Sequence, residues 1–465
     1  VTAPVVDRSL WRAAFVLVLG TFMATLDSTI VSVGLDALAE RFHAPVTEVQ
    51  WVGTAYLLAV VAAVPASGWL ADRFGGRRVW LCAVALFLLG SLLCAVAWSL
   101  PSLVVFRVVQ GLGGGLLPAT GQALLARAAG RERIGRLIGV VGVVPLLSPV
   151  LGPLVGGAIL GVADWPWLFL VNLPVGLGAL LLARRHVPAA PPAERPGAFD
   201  VRGALLLSPG LAVLVYGLSG FGHGPALTPA LVVAVGAGAL VAFVVHGLRT
   251  TRVPLIDPRL FARPPFGAAA LALALLGASV FGTMFLLPLY LQTDLTAWQA
   301  GLLLAPQGVG AALGSVLVTR VVDAAAPRTL VLAGIGLVAA GTAPLTLLGH
   351  DLPDAVIVFA LLARGTGAAL VGAPVMALVY RAVEPARLPR AAGALNLLNT
   401  VGGSVGTALL AVVLQSRLAA RGADPSAVSA AFADTFWWVL GLVLVAAAAA
   451  TRLPRPDNEK GTADA

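Results

Sequence analysis

The stretch AAFVLVLGTFMATLDSTIVSVGL (13–35) decides the fold, because one ionisable side chain, Asp27, interrupts an otherwise apolar and small-polar run. About 20 such residues suffice to cross a hydrocarbon core of about 30 Å as a helix. The run is also too long for the core of a secretory signal and is expected to stay as the first of several spans. Working outward, comparable runs bounded by Arg, Pro or Gly clusters fall at 49–71, 79–98, 101–126, 134–160, 165–183, 203–221, 228–248, 266–291, 298–318, 329–349, 354–380, 391–416 and 432–451. Fourteen transmembrane helices are predicted, an all-α polytopic membrane protein.

Composition agrees. Of 465 residues, 59% are hydrophobic and 11% charged, and the mean hydropathy is +0.96. That leaves too little polar surface for a soluble catalytic domain. The net charge of +9 is carried by Arg, with Lys460 the sole lysine. With both termini on the cytoplasmic side, 25 of the 30 basic residues fall in inner loops or tails; Arg41, Arg417 and Arg421 lie outside, and Arg107 and Arg364 within spans. Retention of positive loops inside explains this asymmetry, and the cations do not form the clustered face that nucleic acid requires. Cys82 and Cys94 stand about 18 Å apart along one helix, too far to bridge, and are expected to be small core residues.

The Pro-rich inner loop RRHVPAAPPAERPGAFDVR (184–202) closes a first bundle of six helices. The expected organisation is an N-terminal bundle (1–187), a linker with appended helices 7 and 8 (188–252), a C-terminal six-helix bundle (253–452) and a polar cytoplasmic tail (453–465). GWLADRFGGRR between helices 2 and 3 returns, degraded, as GSVLVTRVVDAAAPR between helices 10 and 11, and RVVQGLGGG in helix 4 as ARGTGAAL in helix 12. Such repeated halves suit an alternating-access transporter with a site where the halves meet. The GxxxG pairs Gly111/Gly115, Gly152/Gly156, Gly310/Gly314 and Gly402/Gly406 allow close helix approach, for packing or for sliding contacts.

Asp27 is the one acidic residue well inside a predicted span, and an ionisable group in hydrocarbon is by default a functional candidate. Helical rise puts Asp27 and Arg107 at the same depth, each about 21 Å from the cytoplasmic face. Desolvation favours a neutral carboxyl and a nearby guanidinium a charged one, so a change in either moves a proton. A static pair fixing helix register, or local bonding of Asp27 to Thr25 or Ser28, is the competing reading. At the inner end of helix 2, Gly68, Asp72, Arg73, Gly75 and Arg77 form a candidate gate, where Asp72 can meet an inner-loop cation or a helix N-terminus of the other bundle, with a merely solvated, positive-inside loop the alternative. In SPVLGPLVGG, Pro153 removes a donor while Gly152, Gly156 and Gly157 admit neighbours, which predicts a kinked, tightly packed helix 5. Tyr56, Gln110, Phe285, Tyr290, Asn396 and Asn399 are candidates for the few polar or aromatic groups that orient a ligand in an apolar cavity, with interhelical hydrogen bonding the alternative.

Together these segments resemble the major facilitator superfamily, and within it the fourteen-helix drug:proton antiporters. The resemblance covers nearly the whole chain and rests on LDSTIVSVGL, GWLADRFGGRR, RVVQGLG and SPVLGPLVGG, with NLPVG (172–176), FDVRGALLL (199–207) and PLIDPRLF (254–261). It implies proton coupling through Asp27 and Arg107, an inner gate at Asp72 and Arg73, and an antiporter helix at Gly152 and Pro153. The sequence departs from the pattern at Gly76, Ser148, Ser32 and Asp36; Asp36 near the outer mouth is either a solvated helix-end carboxylate or a second titrating group. The expected function is proton-driven export of lipophilic drugs or toxic compounds across the cytoplasmic membrane by a monomer, with no cofactor, no metal and no nucleic acid. Its partners are a small lipophilic substrate, neutral or singly charged, protons and the bilayer. Export of one dedicated metabolite or self-made natural product is the alternative. No HExxH, GxSxG or metal-spaced Cys/His cluster suggests an enzyme, and nothing resembles a channel filter.

Overall fold

The computed structural model describes residues 7–141, 144–189, 191–192, 198–220, 227–250, 254, 256–262, 264–295, 297–321, 326–348, 352–382, 388–421 and 424–453. The side chains of Ser32, Asp36, Ser148, Pro153 and Asn396 lie outside what is described, although their helices are not. Among the described residues there are helices and turns and no strand.

The principal helices are α1 (Arg8–Ile30), α2 (Trp51–Phe74), α3 (Gly76–Ala95), α4 (Leu100–Val141), α5 (Val144–Val162), α6 (Trp167–His186) and α7 (Val201–Ser219). They continue with α8 (Leu227–Arg249), α9 (Pro264–Leu291), α10 (Ala297–Val321), α11 (Pro327–Leu347), α12 (Asp354–Ala382), α13 (Leu388–Arg421) and α14 (Pro425–Ala450). Thirteen of these contain a segment long and apolar enough to cross a membrane, and they coincide with thirteen of the predicted runs. The remaining run corresponds to α5, whose 19 residues are described only in part at the side-chain level.

Local breaks have local causes. α2 tightens into a 3₁₀ turn at Val64–Ala66, where Pro65 lacks the amide hydrogen that would continue the ladder. Gly75, at φ 87°, lets the chain turn from α2 into α3 in a conformation that L side chains disfavour. Two expectations need correction. The loop predicted between the fourth and fifth runs is helical, since α4 continues unbroken for 42 residues. Cys82 lies exposed on the outside of α3 rather than in the core, while Cys94 is buried.

Packing repeats in the two halves of the chain. α1 packs on α4, α5 and α6, and α9 on α12, α13 and α14; α4 receives α2 and α3 as α12 receives α10 and α11; α3 meets α6 as α11 meets α14. The GxxxG pairs sit on these repeated contacts: α4 against α2, α5 against α1, α10 against α12 and α13 against α9. A Cβ on Gly111 would stand 2.5 Å from the Tyr56 carbonyl oxygen, and one on Gly115 2.5 Å from that of Val60. Backbones this close gain dispersion contacts where lipid offers no hydrophobic drive for helix association. The bundles face each other through α4 with α12 and α13 and through α5 with α10, and α7 rests on α2 and α13.

Buried apolar side chains are divided unequally between the two ends. In the half holding the start of α1 and the end of α14, one cluster joins both bundles, from Leu10, Leu17 and Leu125 to Phe266, Val318 and Leu330. In the opposite half the described residues form separate clusters, one around Leu38, Leu103 and Phe169 and one around Leu286, Leu345 and Phe436.

Candidate functional site

Asp27 lies where α1 is enclosed by α4, α5 and α6, and both Asp27 and Arg107 are fully buried. One face of the carboxylate meets the cation: Arg107 Nη1 donates to Asp27 Oδ2 at 2.5 Å. The other face accepts from amides, with Gln110 Nε2 at 2.8 Å and Asn172 Nδ2 at 2.7 Å from Oδ1. A guanidinium and two amide donors together suit an ionised carboxylate, whose charge-assisted bonds are the strong ones. The Thr25 and Ser28 hydroxyls donate to backbone carbonyls of α1.

Arg107 is positioned in turn by its surroundings. Nη1 also donates to Gln110 Oε1 (2.6 Å) and Nε to the Val52 carbonyl (3.0 Å), while the guanidinium stacks 4.2 Å from the Tyr56 ring centroid. Cation–π attraction is strongest when desolvated, as here. The Tyr56 hydroxyl donates to the Ala24 carbonyl at 2.8 Å, pinning α2 to α1 one turn from Asp27. Ser91 Oγ on α3 accepts from Gln110 Nε2 at 2.7 Å and lies 3.4 Å from Asn172 Nδ2. Five helices therefore converge on one carboxylate.

The predicted residues separate into three groups. Tyr56 and Gln110, proposed for a substrate cavity, belong to the shell of the Asp27–Arg107 pair. Phe285 on α9 is 38% exposed. Tyr290 instead bonds across its own bundle, donating to the Leu348 carbonyl (3.2 Å) and packing on Phe432. Asn399 faces Gly277 of α9; Asn396 lies outside the described side chains. Asn172 and Ser91 were missed as site residues, though a polar amide in the middle of the apolar run 165–183 was a readable signal.

At the end of the molecule where the bundles share one core, Asp72 is buried with Oδ1 3.7 Å from Arg127 Nη2 of α4. That cation falls in the inner stretch between the fourth and fifth runs, which is helical here. Gly68 is buried, Arg73 exposed, and Arg77 donates to the Arg184 carbonyl of α6. Trp69 packs on Phe199 before α7, with centroids 4.6 Å apart. In α5, Gly152 sits against Thr29 and Gly156 against Ile30, two and three residues beyond Asp27, whereas Gly157 has nothing within 4 Å.

Residues 17–407 match the family described as the Major Facilitator Superfamily. A Multidrug resistance protein B homolog of Mycobacterium tuberculosis (strain ATCC 25618 / H37Rv) is 40% identical over 88% of this chain and 77% of its own length. The Tetracenomycin C resistance and export protein of Streptomyces glaucescens is 32% identical over 88% of this chain and 76% of its own. Among solved structures, the MFS proton:xylose symporter XylE superposes with a TM-score of 0.67 at 16% identity, covering 94% of each chain, a likeness of fold alone. The chain belongs to the Major Facilitator Superfamily and is a multi-pass membrane transporter.

Proposed function

We propose that this transporter is a proton-coupled antiporter that exports lipophilic drugs or other toxic small molecules across the cytoplasmic membrane by alternating access. The bundles 1–187 and 253–452 are the moving halves, helices α7 and α8 an appended pair, both termini cytoplasmic, and α5 completes fourteen spans in a monomer. No cofactor is needed, since the proton gradient supplies the energy.

The observation that carries this reading is the sealed Asp27–Arg107 pair. While the shell stays closed, a guanidinium and two amides occupy both oxygens of the carboxylate. Separating α1 from α4 or α6 removes donors and favours proton uptake; reclosing expels the proton. The shared core at the end bearing the termini and the Asp72 motif corresponds to a cytoplasmic gate in its closed position, with the proton site served from the outer side. One proton crossing 100 mV supplies about 2.3 kcal/mol, enough for roughly a fiftyfold gradient of a neutral substrate.

Everted or reconstituted vesicles with an imposed pH gradient test this. Asp27→Asn is expected to abolish proton-driven efflux of a lipophilic dye while the protein still inserts and folds, and Arg107→Ala to reduce it severely. Undiminished, pH-dependent efflux by Asp27→Asn would overturn the proposal. Export of one self-made natural product is the second reading, favoured by the similarity to the tetracenomycin exporter; a resistance profile confined to one compound class would select it.

A further inference from the structure

Among the described residues, Arg364 is the other guanidinium buried within the spans, 2% exposed. It occupies in α12 the place of Arg107 in α4, opening the repeated Gly-rich segment on helices with equivalent neighbours. The difference lies in the counter-charge. Arg107 has Asp27 on α1; on α9, the counterpart of α1, Arg364 finds the Ser279 carbonyl (3.1 Å), Ser279 Oγ (3.3 Å) and Thr283 Oγ1 (2.6 Å). Its Nη1 donates to Thr342 Oγ1 of α11, and Nε has no partner. Among the described residues no carboxylate pairs with it, and Asp434, the acidic residue of α14, is held by Arg421 and Arg417 outside this cluster.

A guanidinium taken out of water with only neutral acceptors keeps an uncompensated desolvation cost. An arriving anion relieves that cost. The Ser279 and Thr283 hydroxyls can rotate to donate to such an anion, that of Thr342 can do so on giving up its bond to the Val338 carbonyl, and Nε is a further free donor. One cation without a partner matches one negative charge, and α12 is a helix of the second bundle that meets α4 where the halves face each other. We propose that Arg364, with Ser279, Thr283 and Thr342, is the receptor for the anionic group of a transported molecule, a lipophilic monoanion of the carboxylate or phenolate kind. This rests on the transport reading above and narrows its substrate class. The first bundle then handles the proton and the second the anion, on equivalent helices.

Binding to the purified full-length protein in detergent, without any proton gradient, tests it separately from transport. The probes are 1-pyrenebutyrate and its uncharged methyl ester, read by energy transfer from tryptophan. The wild type is expected to bind the acid at least about tenfold more tightly than the ester, the difference expected from one charge-assisted interaction. Arg364→Gln is expected to lose that preference with ester binding unchanged, and Arg364→Lys to restore part of it. Equal binding of acid and ester by the wild type, a preference retained in Arg364→Gln, or displacement of the acid by physiological chloride would each overturn the proposal. Should Arg364→Gln fail to fold, an aryl-azide benzoate photoprobe decides the matter on the wild type: labelling of peptides from α9, α11 or α12 supports the receptor, and labelling confined to the first bundle overturns it. Failure here with intact proton-driven efflux of a neutral dye would leave the antiport reading standing.

Discussion

Asn172 Nδ2 of α6 lies 2.7 Å from Asp27 Oδ1 of α1, on the side of the carboxylate away from Arg107. The acid is thus held between bundle elements distant in sequence, so any motion of α6 against α1 alters its environment as surely as a motion of α4.

Asn172→Leu removes one hydrogen bond to a buried charge, a loss of about 1.5–3 kcal/mol. Thermal unfolding in detergent is expected to show a clear drop in midpoint, and proton-driven efflux to fall. An unchanged midpoint would mean that Gln110 alone satisfies Oδ1.

The Asp27–Arg107 pair should be strongly non-additive. Arg107→Ala strands a buried carboxylate, costing about 3–5 kcal/mol, whereas Asp27→Asn combined with Arg107→Ala leaves no charge stranded and is expected to be more stable than Arg107→Ala alone. Unfolding measurements on the single and double variants check this; simple additivity would show that the pair is not sealed from solvent.

Within one motif of α5, two glycines should behave oppositely. A Cβ on Gly152 runs into Thr29, and Gly152→Ala is expected to destabilise by about 1–3 kcal/mol through overpacking. Gly157 has nothing within 4 Å, so Gly157→Ala should be neutral or stabilising by up to about 1 kcal/mol from helix propensity. Comparing expressed, folded yield and melting of the two variants measures the contrast.

Arg421 Nη2 bonds Asp434 Oδ2 at 2.6 Å, about the same separation as the buried pair, yet the Arg421 side chain is 42% exposed. Exposed ion pairs are worth about 0–1 kcal/mol, so Arg421→Ala is expected to change both melting and transport little. A loss as large as that of Arg107→Ala would contradict the argument that burial, not distance, sets the value of these pairs.

Much of this was legible along the chain. The spans are legible because each must hold about 20 apolar residues regardless of its neighbours, and thirteen of the runs reappear as helices of that kind. Asp27 and Arg107 stood out because a charge inside such a run is costly, and matched depth needs only the helical rise. The Gly pairs announced close contacts, though not which helix each would meet.

Position around the helix axis, and therefore partnership, came from the tertiary structure. Tyr56 and Gln110 looked like cavity residues, and only the packing of α2 and α4 on α1 turned them onto the ion pair. Asn172 acquired its role because α6 folds back beside α1, 145 positions away in sequence. The contrast between Arg107 and Arg364 is likewise invisible in the repeated segments themselves, since it depends on what the opposing helix presents, a carboxylate on α1 and hydroxyls on α9. Insertion into a membrane is a property of each segment taken alone, whereas the state of a buried charge is set by the few atoms that packing brings within about 3 Å of it.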